Sequence, residues 1–161
     1  MQSTILILGL GNPLRGDDGV GCRVVEELAQ RELPPGVQVL DGGTVGMGLL
    51  GLMEGWKRVV IVDAAEIGRE PGEFVCFTPV QARLARTADN FSLHHAGLAE
   101  VLALASALDL ALPEIVIFGV QPAGVGWGEG LSPAVEAALP ALTGAILKEI
   151  KGVNYAQDSG N

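Results

Sequence analysis

Short apolar runs alternate with segments of helical periodicity along the chain, and this alternation restricts the fold more than any other feature. The runs predicted as buried strands are Ile5–Leu8, Val37–Leu40, Val59–Val62, Glu73–Thr78 and Glu114–Val120. The segments predicted as helices are Val20–Arg31, Met47–Met53, Leu93–Leu108 and Pro133–Lys151, with Ser92 and Ser132 as caps. Together they predict an α/β protein, a three-layer α/β/α sandwich with a mostly parallel, twisted sheet of about five strands and helices on both faces.

The length and apolar content of the chain predict one domain. The chain has 161 residues, of which 48% are hydrophobic, and no repeat or interdomain linker interrupts the pattern. A chain of this length can bury a single sizeable core. We therefore expect one α/β domain over residues 1–152 and a polar C-terminal tail over residues 153–161.

The charge balance argues against nucleic acid as a ligand. Asp and Glu total 19 against 10 Lys and Arg, and no basic run is present, whereas proteins that bind phosphate backbones need a clustered basic face. No stretch has the pattern of a signal peptide or the length of a membrane span, so we expect a cytoplasmic protein without membrane contact. The two distant cysteines, Cys22 and Cys76, are interpreted as small core residues without a disulfide.

Three aspartates occupy the positions where a parallel α/β sheet binds its ligands. Such sheets bind at the carboxyl ends of their strands, and a 2-1-3 strand order places the crevice after Leu8 and Val62. Asp17 and Asp18 follow the first strand, and Asp63 follows the third directly. One of the first two could simply cap the helix, and Asp63 could cap a loop. An acid after a buried strand is nevertheless costly unless it is paired, hydrogen-bonded or bound to a metal.

The only two histidines, His94 and His95, are adjacent and predicted to lie in the first turn of a helix that starts near Ser92. Adjacent helical residues point about 100° apart, so one of the two is expected to face the site. The positive field of a helix N-terminus favours the neutral imidazole that binds metals. Asp18, Asp63 and one histidine therefore form a candidate site for Zn, Ni, Mn or Fe.

The glycine-rich loop Gly9–Gly21 resembles two other kinds of site that the sequence argues against. A dinucleotide fingerprint needs a third glycine where this chain has Leu14, and the paired acids would repel pyrophosphate, so no nucleotide is expected. Peptidyl-tRNA hydrolases also open with a strand and a Gly-Leu-Gly-Asn-Pro-like turn. That family carries an early histidine and a basic face, whereas this chain is acidic and has no histidine before His94.

Several segments, in order, resemble the nickel-iron hydrogenase maturation proteases, over about Ile5 to Ile150. Each segment alone is weak, but the ordered set is specific. The matching segments are Gly9–Gly21, Asp41-Gly-Gly-Thr-Val-Gly46, Val62-Asp63-Ala64 and Ser92-Leu-His-His-Ala-Gly-Leu98, followed by Gly119-Val-Gln-Pro122 and Leu131-Ser-Pro133.

The resemblance implies an aspartic-type endopeptidase that removes the C-terminal extension of a hydrogenase large subunit after nickel insertion. Its catalytic and metal-contacting positions fall on Asp18, Asp63 and His94, where Asp18 replaces the Glu of some relatives. Second-tier positions are Asp17, Asp41 and His95. The nickel would be supplied by or shared with the large-subunit precursor, and the protease is expected to be a monomer that forms a transient complex. The rival hypothesis is a non-catalytic, metal-responsive assembly factor or nickel chaperone with the same three ligands.

Overall fold

The computed structural model describes residues 4–44, 48–81, 92–93 and 98–158, and its elements follow the predicted alternation. The strands are β1 (Ile5–Leu10), β2 (Val37–Gly43), β3 (Arg58–Glu66), β4 (Phe74–Phe77), β5 (Ser92–Leu93) and β6 (Glu114–Val120). The helices are α1 (Val20–Ala29), α2 (Leu49–Met53), α3 (Leu98–Ala107) and α4 (Pro133–Asp158), and a 3-10 turn, Gly16–Gly19, precedes α1. None of the helices in the described ranges is long and apolar enough to cross a membrane.

The main sheet is mixed and mostly parallel, with the strand order β2-β1-β3-β6-β4. β1 pairs in parallel with both β2 and β3, and β3 pairs in parallel with β6. The edge strand β4 runs antiparallel to its neighbour β6, and the short β5 pairs antiparallel with the end of β3. The structure has the expected 2-1-3 order, and the last pair between β1 and β3 joins Gly9 to Val62.

Two apolar clusters cover the two faces of the sheet. Alternate residues of the central strands point to opposite faces, so Ile7 and Val62 belong to one cluster and Leu8 and Ile61 to the other. α1 and α4 pack on the first face, and α2 and α3 on the second. Burial on both sides explains why β1 is apolar along its length instead of alternating with polar residues. The predicted three-layer architecture is confirmed.

Several predicted boundaries differ from the structure by one to three residues, such as the ends of β1 at Leu10 and of β2 at Gly43, and three differences are larger. β3 continues past Val62 to Glu66, because β6 pairs with it as far as Ala64 and β5 pairs with the two residues that follow. Ser92 lies opposite Glu66 in β5, so the prediction that it caps a helix is wrong. The last helix continues from Pro133 to Asp158, beyond the predicted end at Lys151.

Candidate active site at the carboxyl ends of β1 and β3

Asp63 is the first residue of β3 that extends beyond the pairing with β1. The last β1–β3 pair joins Gly9 to Val62, and Asp63 then pairs only with Gly119 of β6. Strand alternation places the Asp63 side chain on the same sheet face as Ile61. The residue is 0% exposed. The pairing with β1 ends at Val62 while β3 continues, so a fully buried acid lies at the predicted ligand crevice.

Gly21 lets the start of α1 lie directly against both strand ends. A Cβ atom on Gly21 would be only 2.5 Å from the carbonyl oxygens of Leu10 and Val62, closer than real Cβ atoms approach. The chain reaches this position through Gly11, whose φ of 119° lies in the region that favours glycine. The 3-10 turn that carries Asp17 and Asp18 consequently packs against β3.

Asp18 is buried, with 6% exposure, and its carboxylate is held by the chain that precedes it. Its Oδ2 accepts a hydrogen bond from the backbone N–H of Asn12 at 2.8 Å. The N-cap residue of α1 is Gly19, and neither the 3-10 turn nor α1 has a side-chain hydrogen bond from its N-cap residue. Asp18 is placed at the strand ends, on the turn that contacts β3.

The Asp17 side chain binds the loop that follows β6, up to Ser132 directly before α4. This loop, residues 121–132, is here called the rim loop. The Asp17 carboxylate accepts hydrogen bonds from the N–H groups of Ala123, Gly124 and Ser132 and from Ser132 Oγ, at 2.7 to 3.3 Å. Asp17 is 1% exposed. The two adjacent acids therefore have different surroundings, which the sequence pattern does not distinguish.

Asp41, at the end of β2, forms a hydrogen-bonded pair with Cys22 of α1. Its Oδ1 accepts from Gly43 N at 2.9 Å, and its Oδ2 accepts from the Cys22 thiol at 2.7 Å. Burial, followed by the hydrogen bond to Asp41 and the charges of Asp41 and Glu26, raises the pKa of Cys22 to about 12. The sequence interpretation of Cys22 as a core residue missed this contact, which joins positions 19 residues apart.

Gln121 is a second residue whose role the sequence interpretation did not identify. It is 6% exposed, and its Oε1 accepts from the backbone N–H of Ile67 at 2.9 Å while its Nε2 donates to Glu66 at 2.9 Å. Gln121 thereby ties the segment after β3 to the start of the rim loop. A polar amide directly after a buried apolar strand was the available signal.

The rim loop also carries an exposed tryptophan beside the site. Trp127 is 78% exposed, and the Arg15 guanidinium lies 5.0 Å from the centre of its ring. Arg15 Nε donates to the carbonyl oxygen of Val125 at 3.2 Å, which fixes the cation over the ring. A cavity of about 270 Å³ lies nearby, lined by residues that include Leu14, Cys22 and Leu131.

The predicted histidines, His94 and His95, lie outside the described residues, so the three-ligand set stays a prediction. Within the described ranges, no three His, Cys, Asp or Glu side chains are grouped closely enough to hold a metal ion. The chain before His94 is nevertheless placed at this end of the sheet. Leu93 pairs with Ala65, and the antiparallel direction from Ser92 to Leu93 runs along β3 toward Asp63.

Known proteins share both the sequence pattern and the fold. The hydrogenase maturation protease family (HycI) matches residues 22–149. The Hydrogenase 2 maturation protease of Escherichia coli K12 is 38% identical over 141 residues, which cover 86% of this chain and 85% of that protein. The hydrogenase maturating endopeptidase HybD from E. coli has a TM-score of 0.80 at 34% identity over 93% of each chain. The [NiFe] hydrogenase maturation protease HybD from Thermococcus kodakarensis has a TM-score of 0.75 at 32% identity, covering 90% of this chain and 97% of that one.

The two structural similarities cover 93% and 90% of the chain, and the family model covers Asp63 but begins after Asp18. They confirm the resemblance inferred from the ordered sequence segments. The chain belongs to the hydrogenase maturation protease family and is a hydrogenase maturation endopeptidase.

Proposed function

We propose that this endopeptidase removes the C-terminal extension of a nickel-iron hydrogenase large-subunit precursor after nickel has been inserted. One observation carries the proposal: two buried carboxylates, Asp18 and Asp63, lie on elements that pack together at the carboxyl ends of neighbouring parallel strands. Parallel α/β sheets bind their ligands at this position. The relative from T. kodakarensis is a [NiFe] hydrogenase maturation protease, which supports nickel-iron enzymes as the source of the substrate.

The donor chemistry of the proposed site suits a divalent transition metal. Asp18 and Asp63 would contribute carboxylate oxygens and His94 an imidazole nitrogen, a set that binds nickel and its neighbours in the first transition row. Both carboxylates are almost entirely removed from water, and burial of a carboxylate is costly unless hydrogen bonds or a cation compensate it. In this proposal the nickel belongs to the precursor, and by binding it the protease recognises a precursor that has received its metal.

Hydrolysis of the peptide bond requires a water molecule that loses a proton as it attacks the carbonyl carbon. A carboxylate held beside that water can accept the proton and return it to the amide nitrogen as the carbon–nitrogen bond breaks, and general acid–base help of this kind contributes about 10²–10⁴-fold in rate. We assign the proton-accepting role to the carboxylates of Asp18 and Asp63, which makes the enzyme aspartic in type. The nickel, when bound, would polarise the scissile carbonyl. Asn12 N holds Asp18 Oδ2 in place through the hydrogen bond described above.

The two variants Asp18→Asn and Asp63→Asn test the proposal. Each keeps the shape of the side chain but removes its negative charge and its ability to accept a proton. We expect each to lower cleavage of a nickel-loaded precursor by at least about a thousandfold, measured as the mass of the precursor over time. Asp109→Asn is a matched control, because Asp109 is exposed, precedes the amino-terminal end of β6 and has a φ of 55° that Asn tolerates.

The outcomes separate the possible roles of the chain. Full cleavage by both Asn variants would reject the assignment of Asp18 and Asp63. A wild-type chain that binds the loaded precursor and leaves its length unchanged would reject cleavage of this substrate and favour an assembly factor. The same experiment with a nickel-free precursor tests whether the metal is the recognition signal, since the proposal expects no cleavage in that case.

We place the reaction in the cytoplasm, with the protease acting as a monomer in a transient complex. Both cysteines, Cys22 and Cys76, are free thiols, which is the usual state in a reducing compartment. Size-exclusion chromatography with light scattering, before and after addition of the loaded precursor, measures whether the complex contains one copy of each chain.

A further inference from the structure

Asp17 has no role in the proposed chemistry, yet its carboxylate accepts four hydrogen bonds from a distant part of the chain. The opening loop, residues 11–19, and the rim loop are more than a hundred positions apart, and Asp17 joins them with four hydrogen bonds. We propose that Asp17 is a positioning residue, which holds the rim loop against the opening loop so that the substrate is received in the correct place. This inference rests on the proposed function.

Both oxygens of the Asp17 carboxylate are used in this contact. Oδ1 accepts from Ser132 N at 2.7 Å, and Oδ2 accepts from Ala123 N and Ser132 Oγ, each at 2.8 Å, and from Gly124 N at 3.3 Å. All four partners are donors, so only a group with two acceptor oxygens matches them. An asparagine would direct its amide N–H₂ toward one of these donors, and hydrogen bonds to a charged acceptor are about twice as strong as neutral ones.

Backbone hydrogen bonds continue the contact beyond Asp17. Asp17 N donates to Gly124 O at 3.0 Å, Gly16 N donates to Gly128 O at 2.8 Å, and Gly128 N donates to Leu14 O at 2.8 Å. The rim loop thus lies alongside the opening loop as a short bridge. The carboxylate fixes both ends of the rim loop, at positions 123–124 and at position 132, and the bridge holds its middle.

The result is that Trp127 is exposed and yet fixed in position. Its side chain is 78% exposed, Arg15 stacks on its ring, and the loop on both sides of it is hydrogen-bonded to the opening loop. A preorganised tryptophan loses little conformational entropy when it binds, and tryptophan is enriched among residues that dominate protein interfaces. Because Asp18 follows Asp17 directly, the same carboxylate also fixes the distance between the rim and the candidate active site.

The experiment compares Asp17→Asn, Ser132→Ala and Ser132→Thr in a Trp56→Phe background, so that Trp127 is the only fluorophore of its kind. Steady-state fluorescence anisotropy of Trp127 reports whether the rim loop is held. Cleavage of the nickel-loaded precursor gives KM and kcat separately. Asp109→Asn is again the matched control for an Asp-to-Asn change away from the site.

We expect Asp17→Asn to lower the anisotropy of Trp127 and to raise KM by about tenfold or more, with kcat changed less than about threefold. Ser132→Ala removes one of the four donors and should give the same changes at a smaller size. Ser132→Thr keeps the hydroxyl and should behave like wild type. If Asp17→Asn does not fold, the pair of Ser132 variants still decides the question.

Two results would overturn the inference while leaving the proposed function intact. One is an unchanged anisotropy in Asp17→Asn and Ser132→Ala, because the rim loop would then be held without the carboxylate. The other is a lowered anisotropy with unchanged KM, because the rim loop would then not receive the substrate. A wild-type chain that does not cleave the loaded precursor would instead reject the proposed function itself.

Discussion

The two ends of the central sheet hold their helices in different ways. At the carboxyl ends of β1 and β3, α1 is held by close backbone contact at Gly21, and Asp17 binds the rim loop through N–H and O–H donors. At the opposite end, Arg58 begins β3 and forms a partly buried salt bridge with Glu149 of α4. Arg58 is 6% exposed, so its charge is almost fully removed from water.

The difference shows how the molecule separates stability from activity. A glycine contact lets two backbones approach without occupying space or using a charge. At the site end this contact and the hydrogen bond from Asn12 N position the turn that carries Asp18 against β3, which carries Asp63. At the far end the salt bridge between Arg58 and Glu149 holds α4, and the two charges balance each other. Changes at the far end should therefore affect folding, and changes at the site end should affect folding and cleavage together.

The largest effect on stability is expected for Gly21→Ala. The new Cβ would meet the carbonyl oxygens of Leu10 and Val62 at 2.5 Å, and backbone atoms cannot move aside as a flexible side chain can. We expect the free energy of unfolding to fall by about 3 kcal/mol and cleavage per folded molecule to fall as well, because α1 and the turn before it must shift. Urea denaturation and precursor cleavage measure the two effects.

Gly144→Ala in α4 is the matched control for that change. A Cβ on Gly144 meets no atom within 4 Å, and alanine favours a helix over glycine by about 1 kcal/mol, so this variant should be more stable than wild type. A Gly21→Ala variant as stable as wild type would show that the strand ends have room for α1 to move, and the account of the site end given above would then be wrong.

The next largest loss of stability is expected at the far end, and its size depends on whether Arg58 or Glu149 is removed from their salt bridge. Glu149→Ala leaves the buried Arg58 cation without its partner and should destabilise the fold by about 3 kcal/mol. Arg58→Met should cost about 2 kcal/mol less, because Glu149 is already one-third exposed and Arg58 Nε makes no hydrogen bond within the described ranges. Urea denaturation gives the order of the two variants.

Cleavage by the folded fraction should be unchanged in both far-end variants, since neither residue lies near the strand ends that carry the site. A loss of kcat/KM in fully folded Arg58→Met would contradict the separation of the two ends. Equal destabilisation by both variants would show that burial of the cation does not decide the cost.

Much of the fold could be predicted because it depends on local apolar patterns. The alternation of runs such as Ile5–Leu8 and Val59–Val62 with helical segments indicates a mostly parallel sheet, and the 2-1-3 order, assumed because it is common, is the one that the structure has. The end of β3 was not predictable in the same way, because its last residues are held by β5, and that pairing joins distant positions. Ser92 has a side chain typical of a helix cap, but the pairing with Glu66 decides its conformation.

The candidate site was predictable only in outline. Parallel strands bring their carboxyl ends to one edge, so the positions of Asp18 and Asp63 at that edge follow from the fold. The partners of Asp17 and Asp41 did not follow from the sequence. Asp17 accepts hydrogen bonds from residues more than a hundred positions away, and Cys22, the partner of Asp41, is a residue type common in protein cores. Identification of hydrogenase as the context came from the ordered motifs and the relatives, not from the physical pattern.

The smallest expected effect is on the reactivity of the two cysteines, one near each end of the sheet. Cys22 is bonded to Asp41 at the site end, and its pKa is raised to about 12. The pKa of Cys76 in β4 is raised by burial and then by the charge of Glu149, while Arg58 lowers it. Asp41→Asn should therefore speed alkylation of Cys22 by iodoacetamide at pH 8 by about tenfold and leave Cys76 unchanged. Glu149→Ala should speed alkylation of Cys76 and leave that of Cys22 unchanged.

Peptide mass spectrometry resolves the two thiols within one sample, so each serves as the control for the other. Burial is the first cause of the raised pKa of Cys22, so alkylation in Asp41→Asn should stay slower than that of an unfolded thiol. The raised pKa also means that the folded state keeps its proton when the unfolded thiol has lost it. The contribution of Cys22 to stability is thus present below pH 9 and is lost as the pH rises to about 12, and Cys22→Ala should flatten that part of the curve. Equal alkylation of Cys22 in wild type and Asp41→Asn would show that the carboxylate does not control this thiol.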